Sequence, residues 1–419
     1  MNDAARQVQR TYLLLTLLST LATSFIWGIN TLFLLDAGLS NAEAFTANAF
    51  FTVGQVLFEI PTGVVADSRG RRLSYLLGSA TLLASTILYL VMWQISAPLW
   101  GWALASILLG LGFTFFSGAM EAWLVDALNH TGYTGDLESV FARGQVVGGA
   151  AMLTGSVAGG VVAQFTNLGV PYLLRAAMLV LAFGAASIYM RDLGFAPVKG
   201  VSTNDQIRHI VRASVDNGLK NRPVRWIMLA APFTSGVAYY AFYAMQPYLL
   251  ELWGDNTAFG IAGLAAAIVA GAQILGGLLV TRIRRHFVHR THALLLATSG
   301  SVAALIGVGL TNSFWVAITF IVLWALLYSM AFPMRQAYIN ALIPSEQRAT
   351  VLSFDALIGS AGGVVTQPVL GRVADVNGYG ASYLVSAVVE ALAIPFIALA
   401  HRERAQADVI SHYDDSIPA

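Results

Sequence analysis

The sequence predicts an all-α polytopic membrane protein: twelve transmembrane helices in two six-helix bundles with pseudo-two-fold symmetry. Three observations carry this. The 419 residues are 57% hydrophobic and 11% charged, against about 25% charged residues in soluble globular chains. No soluble fold could cover so much apolar surface with so few charges. The apolar residues also gather into twelve runs, each near the roughly 20 residues that a bilayer-spanning helix needs. Finally, one polar stretch divides those runs six and six. This excludes an ordinary cytosolic enzyme and a disordered chain. A net charge of +1 gives no field to attract nucleic acid, and the absence of cysteine excludes disulfides, thiolate metal sites and a catalytic thiol.

In chain order the spans cover 12–36, 44–66, 73–94, 98–127, 141–165, 172–190, 224–251, 257–281, 292–311, 314–342, 350–374 and 381–400. Their unbroken Leu-, Ala- and Gly-rich character argues against the dyad alternation of β-barrel strands. The first run follows Arg6 and Arg10 but is too long for a signal-peptide core, so it reads as a retained span. Basic residues concentrate in the even-numbered connections: Arg69, Arg71 and Arg72, then Arg191 to Arg225, Arg282 to Arg290, and Arg348. Arg6, Arg10, Arg402 and Arg404 flank the outermost spans. By the positive-inside rule both termini and the even connections are expected in the cytoplasm. The expected domains are an N-terminal bundle at 1–190, a cytoplasmic linker at 191–223 with a polar surface helix near 205–219, and a C-terminal bundle at 224–419.

The halves echo one another. Thr23-Ser24 and Thr234-Ser235 both lie early in the first span of their half, and Gly160 and Gly371 both lie near the end of a fifth span; each pair is 211 apart (234 − 23 and 371 − 160). Within each half a similar glycine-led ending recurs after three spans, at Gly63 and Gly160 and again at Gly276 and Gly371. Such spacing predicts three-helix units repeated twice per half, as in transporters that rock two bundles about a central site.

Residues 63–72 read Gly-Val-Val-Ala-Asp-Ser-Arg-Gly-Arg-Arg. This resembles the signature loop between the second and third helices of the major facilitator superfamily, with Gly63, Asp67, Gly70, Arg71 and Arg72 matching and Ser68 replacing an arginine. Gly63 is expected to allow a close helix approach. Asp67 is expected to pair with Arg71 or to meet a helix N-terminus, as part of a conformational lock. In span 5, Gly155, Gly159 and Gly160 resemble the family's antiporter motif, although Ser156 replaces its proline; Gly363 and Gly371 echo it in span 11. The resemblance points to the drug:proton antiporter (multidrug efflux) branch. It departs at Ser106, which stands where efflux members carry an arginine.

Ionisable residues inside spans cost about 2.5–3.5 kcal/mol each on insertion scales, so each wants a reason. A carboxyl buried away from water favours its neutral form and exchanges protons near neutral pH. Glu59, Glu121 and Asp36 are therefore proton-coupling candidates, with Arg335 as counter-charge or substrate contact. Asp126 and Asp355 read as wet or paired with Arg143, and Glu390 finds no role. The family's first, fourth, seventh and tenth helices line its cavity. Here that implies Trp27, Asn30 and Phe33; Phe113, Phe116 and Met120; Tyr239, Tyr240, Tyr243 and Gln246; and Trp324, Tyr328 and Met330. This wide, greasy set suits an amphipathic or aromatic ligand.

No phosphate-binding Gly-x-x-x-x-Gly-Lys-Ser/Thr loop and no His-Glu-x-x-His occur. His286, His289 and His292 fall in a basic loop read as solvated, so neither metal nor cofactor is expected. The expected function is alternating-access transport, with proton-coupled export of hydrophobic or amphipathic small molecules first. Uptake by a symporter or facilitator is the alternative, and a non-transporting sensor or scaffold the second. The expected setting is a monomer in a bacterial inner or plasma membrane, with a small molecule, protons and lipid as its partners, no nucleic acid and no enzymatic activity.

Overall fold

The structure, a computed structural model, describes residues 3–197, 215–344 and 348–410. Most of the expected linker helix, residues 205–214, lies outside the described residues; Val215–Leu219 form one short π-helical turn.

Fourteen α-helices are described: α1 (Asp3–Trp27), α2 (Asn30–Asp36), α3 (Asn41–Arg69), α4 (Arg71–Gln94), α5 (Leu99–Phe116), α6 (Ala119–His130), α7 (Leu137–Phe165), α8 (Gly169–Tyr189), α9 (Arg222–Trp253), α10 (Phe259–Ile283), α11 (Arg290–Leu310), α12 (Phe314–Leu342), α13 (Arg348–Ala391) and α14 (Ala393–Arg402). Ten stretches among the described residues are long and apolar enough to cross a membrane, and the pair α1–α2, bent by 49°, makes another. The last stretch, Val351–Arg402, is 52 residues long, about twice what one crossing needs at 1.5 Å rise per residue. It turns at Gly378, whose φ of 82° an L side chain resists. Counted this way, the described residues hold twelve stretches of crossing length, the number that the sequence predicts.

Local chemistry sets the helix ends. Ser40 accepts the Glu43 N–H while the Glu43 carboxylate takes the Ser40 N–H, a reciprocal cap that starts α3. Asp136 accepts from the N–H groups of Glu138 and Ser139 to start α7. Two spans expected to be continuous are broken: the first at Gly28–Ile29, the fourth at Ser117–Gly118, where Gly118 has a φ of 66°. The first 30 residues of α13 end at the turn at Gly378, and the helix then runs on to Ala391, with α14 following after Leu392. Large apolar side chains stand outward and mostly exposed, among them Trp100, Phe165, Leu278, Leu310 and Trp315. Hydrocarbon, not water, is the solvent such a surface fits.

The described residues group into two compact units, one within Met1–Ile207 and Gln246–Ile268, the other within Arg208–Met245 and Val269–Ala419. In the first, α1 packs on α7 and on α8, α3 on α5, and α4 on α5 and α8. Span 1 on span 5 becomes span 4 on span 2 when the three-helix sets are exchanged, so this packing carries the expected internal repeat. Close glycine approaches make both contacts. A Cβ on Gly159 would strike the Phe25 carbonyl, and one on Gly54 would lie 3.0 Å from the Ile107 Cα, inside its carbonyl's reach. In the second unit α11 packs on α12, α13 and α14. There Gly359 approaches Ser235, and Gly236 approaches Gly362 and Thr366. Gly155 approaches Ser24 in the first unit, and both Ser24 with Ser235 and Gly155 with Thr366 stand 211 apart (235 − 24 and 366 − 155).

The last described segment folds back on the start of α11. Asp408 accepts the Thr291 N–H at 2.8 Å and its hydroxyl at 2.7 Å, while Arg290 donates to the carbonyls of Ala407 and Val409. A carboxylate 117 residues away thus caps a helix N-terminus.

Candidate substrate cavity

In the second unit α9, α11, α12, α13 and α14 enclose a cavity of about 80 Å³. That holds several waters or the small polar end of an organic molecule. Its wall combines the hydroxyl-bearing Thr234, Ser235, Thr298 and Ser301 with the apolar Ile227, Leu294 and Phe332, and with Tyr328, Arg335 and Glu390. Arg335 is held by Asp355: its two terminal nitrogens each reach one carboxylate oxygen, Nη1 to Oδ2 at 2.6 Å and Nη2 to Oδ1. Nη2 also reaches the Ile227 carbonyl at 3.4 Å. Asp355 is 2% exposed. The fork geometry satisfies both charges, so the two cancel. This corrects the reading of Asp355 as wet or paired with Arg143.

Glu390 is also 2% exposed. The Ser301 hydroxyl and the Trp324 indole N–H face its carboxyl. Yet Glu390 Oε2, Ser301 Oγ and Trp324 Nε1 each lack a hydrogen-bond partner among the described residues. Trp324 stacks on Tyr328 with ring centroids 5.9 Å apart. Sequence reasoning left Glu390 without a role. The usable signal was depth: Glu390 lies ten residues from the end of span 12 at 400, and Ser301 nine from the start of span 9 at 292, both counted from ends expected on the same side of the membrane.

The proton-coupling candidates are less enclosed than expected. Glu121 and Asp36 are exposed and Glu59 is half-buried. Asp36 accepts from the Trp93 indole at 2.8 Å, and Glu59 from the Ser117 hydroxyl at 2.7 Å, at the break between α5 and α6. The cavity-lining candidates divide. Tyr328 lines the cavity, and Trp324 stacks on it. Met330 lies in the core of the second unit. Tyr239 packs over Gly363, Tyr243 meets Phe242 edge-on, and Tyr240 is fully buried with the Ser382 hydroxyl on its own. Gly371 is buried in α13.

In the first unit Phe33 was expected in a cavity wall but lies in the core, stacked on Tyr172 at 4.0 Å and flanked by Tyr89, Trp93 and Trp102. Asn30 is likewise taken: it donates to Asn48 at 2.9 Å and accepts from Tyr172 at 3.0 Å. Gln246 repairs the broken first span. Its amide accepts the Thr31 N–H at 2.9 Å and donates to the Trp27 carbonyl at 2.8 Å, the groups that a bent helix leaves without intrahelical partners. Trp27, Phe113, Phe116 and Met120 are half-buried. Phe116 stacks on Tyr75 at 4.7 Å, and the Arg175 guanidinium sits 5.9 Å above Phe113. Ser106, at the efflux-arginine position, is closed off by the Tyr89 hydroxyl at 2.6 Å. A buried cation of this unit is Arg175, on span 6, which donates to Thr86 and to the Ala22 carbonyl.

In the loop at 63–72, Asp67 and Arg71 form an ion pair one helical turn apart. Gly70, at a φ of 109°, ends α3 and starts α4. Asp192, which sequence reasoning missed, accepts the Arg72 N–H at 2.9 Å, and the Arg72 guanidinium reaches the Ser187 carbonyl at 2.7 Å. Gly63 does not serve close packing: a Cβ there would meet nothing within 4 Å. The tight approach of α3 is made nine residues earlier, at Gly54. Gly155, Gly159 and Gly160 do pack tightly, the first two on α1 and Gly160 on Gly263 of α10.

Twelve apolar stretches of crossing length among the described residues, a repeated three-helix packing and a cavity within the second unit define a polytopic carrier fold. The Major Facilitator Superfamily model matches residues 12–310 and 262–415, and the chain belongs to that superfamily of transporters. An uncharacterized MFS-type transporter, YxaM of Bacillus subtilis (strain 168), is 22% identical over 366 residues, covering 83% of this chain and 84% of that one. Among solved structures, the nucleoside transporter NupG is similar at a TM-score of 0.71 and 12% identity, over 95% of this chain and 99% of that one. A bacterial homologue of the human lysosomal transporter Spinster, inward-facing and occupied, gives 0.70 and 16% over 96% and 98%. A D-xylose-proton symporter gives 0.64 and 15% over 94% and 97%. At these identities the structural likeness shows the fold alone.

Proposed function

We propose that this multi-pass membrane transporter moves a small amphipathic or aromatic molecule by alternating access, coupled to protons, with export as its direction. The observation that carries the substrate class is the cavity of the second unit, where aromatic and aliphatic walls surround a few hydroxyls and a neutralised Arg335–Asp355 pair. Such a surface fits a ligand that is mostly apolar with one polar end. The antiporter-like close packing of Gly155 and Gly159 on α1 supports export. Glu59 is the proton-coupling candidate we favour in the first unit: it accepts the Ser117 hydroxyl beside the break at Gly118. The Asp67–Arg71 pair belongs to a lock that opens and closes with the transport cycle, and residues 1–190 and 224–419 move as the two bundles. The basic connections and both termini face the cytoplasm of a bacterial inner or plasma membrane, and the unit of function is the monomer.

Collapse of the proton gradient in cells expressing the protein tests the direction. Intracellular accumulation of the carried compound rises if the protein exports and falls if it is a symporter. The uptake reading gains weight from the sugar–proton symporter and nucleoside transporter among its structural likenesses. Purified protein in liposomes that moves no member of a broad compound panel would refute transport and leave a sensor or scaffold.

A further inference from the structure

Glu390 poses an energetic question. A carboxylate withdrawn from water needs hydrogen bonds or an opposite charge, or it costs several kcal/mol. The cation on the cavity wall, Arg335, is already engaged by both oxygens of Asp355. With Glu390 ionised, the cavity's charges sum to −1, all of it on that carboxylate. Around that charge stand the Ser301 hydroxyl and the Trp324 indole N–H, which face it, and two stacked aromatic rings.

We infer that the cavity at Glu390, Ser301 and Tyr328 is a binding site for the protonated amine of a small organic cation. An ammonium group donates to Glu390 Oε2 and Ser301 Oγ, supplying what both atoms lack. The Tyr328 ring, and Trp324 behind it, offer the negative faces that attract a cation. The volume of about 80 Å³ admits an ammonium with a few carbons, and the apolar side chains of Leu294, Phe332 and Ile397 take the adjoining hydrocarbon. A bare metal ion is a poorer fit. It needs several oxygen ligands at once, Asp355 is occupied by Arg335, and no cluster of three metal-binding side chains exists among the described residues.

This rests on the carrier reading only in treating the ligand as cargo; binding itself needs no transport. The test is calorimetric titration of the full-length protein in detergent with 2-phenylethylamine, cationic at neutral pH, and with 2-phenylethanol, its neutral counterpart. The amine should bind at least tenfold more tightly than the alcohol. Glu390→Gln should bring the two within twofold. A native protein without that preference, or a variant that retains it, overturns the inference. If the variant does not fold, a measurement on the native protein replaces it: labelling with dicyclohexylcarbodiimide, which adds to buried carboxyls, mapped by peptide mass spectrometry. Glu390 labelling should fall at least fivefold with the amine present and not with the alcohol; equal protection by both, or by neither, overturns the proposal. Failure of liposome transport with amine selectivity intact would sink the carrier reading alone.

Discussion

Removing Asp355 should be among the most damaging single changes in the second unit. Its carboxylate is 2% exposed and the Arg335 side chain 18%, so the pair is mostly withdrawn from water. Asp355→Leu leaves a guanidinium short of two charge-assisted hydrogen bonds, each contributing about 1.5–3 kcal/mol. The 18% exposure lets some water return, which brings the expected loss to about 3–5 kcal/mol, the range for breaking a buried pair from one side. Arg335→Met should cost a similar amount by stranding Asp355. The double variant Arg335→Met/Asp355→Leu removes both charges and keeps apolar volume, and should lie within about 1–2 kcal/mol of native. The assay is denaturant-driven unfolding of the purified protein in micelles, followed by tryptophan fluorescence, with all four proteins in one thermodynamic cycle. Losses that simply add in the double variant, to within about 0.5 kcal/mol, would show no coupling and refute the pairing.

Three further outcomes are expected. Gly159→Ala should destabilise by about 1–3 kcal/mol through overpacking on the Phe25 backbone, whereas Gly184→Ala in α8, with nothing within 4 Å of the added carbon, should be neutral or gain up to about 1 kcal/mol from helix propensity; thermal unfolding of the two variants side by side decides it. Ser40→Ala should cost about 0.5–2 kcal/mol by removing the reciprocal cap of α3, and faster amide exchange confined to the first turn of that helix would be its signature. Asp67→Asn should shift stability by no more than about 1 kcal/mol, since the ion pair is half exposed, while slowing liposome transport several-fold; unaltered transport would remove this pair from the lock.

Periodicity of polarity made the twelve crossings legible, because a bilayer demands long apolar runs whatever their packing. The breaks inside them were not. Gly28 and Gly118 look like any small residue in a membrane helix, and only tertiary support, such as Gln246 reaching Trp27 and Thr31, makes a break tolerable. The repeat spacing of 211 was visible and marked real contacts, since Ser24 and Ser235 occupy matching helix interfaces. Side-chain placement was harder. Phe33 and Tyr240 lie on helices assigned to the cavity, yet helix rotation turns them into packed cores. Asp355 and Glu390 were readable as charges at shared depth with Arg335 and Ser301, but sequence alone does not say which faces meet. Asp192 carried no signal beyond its place after Arg191.

The clasp between Asp408 and Thr291 bears on how this molecule can be handled. Deleting residues from Ala407 onward would strip the oxygens that begin α11 along with both carbonyl acceptors of Arg290. A reporter or purification handle joined upstream of that point would therefore interrogate an injured protein, and a low signal from it would say nothing about which side of the lipid the junction occupies.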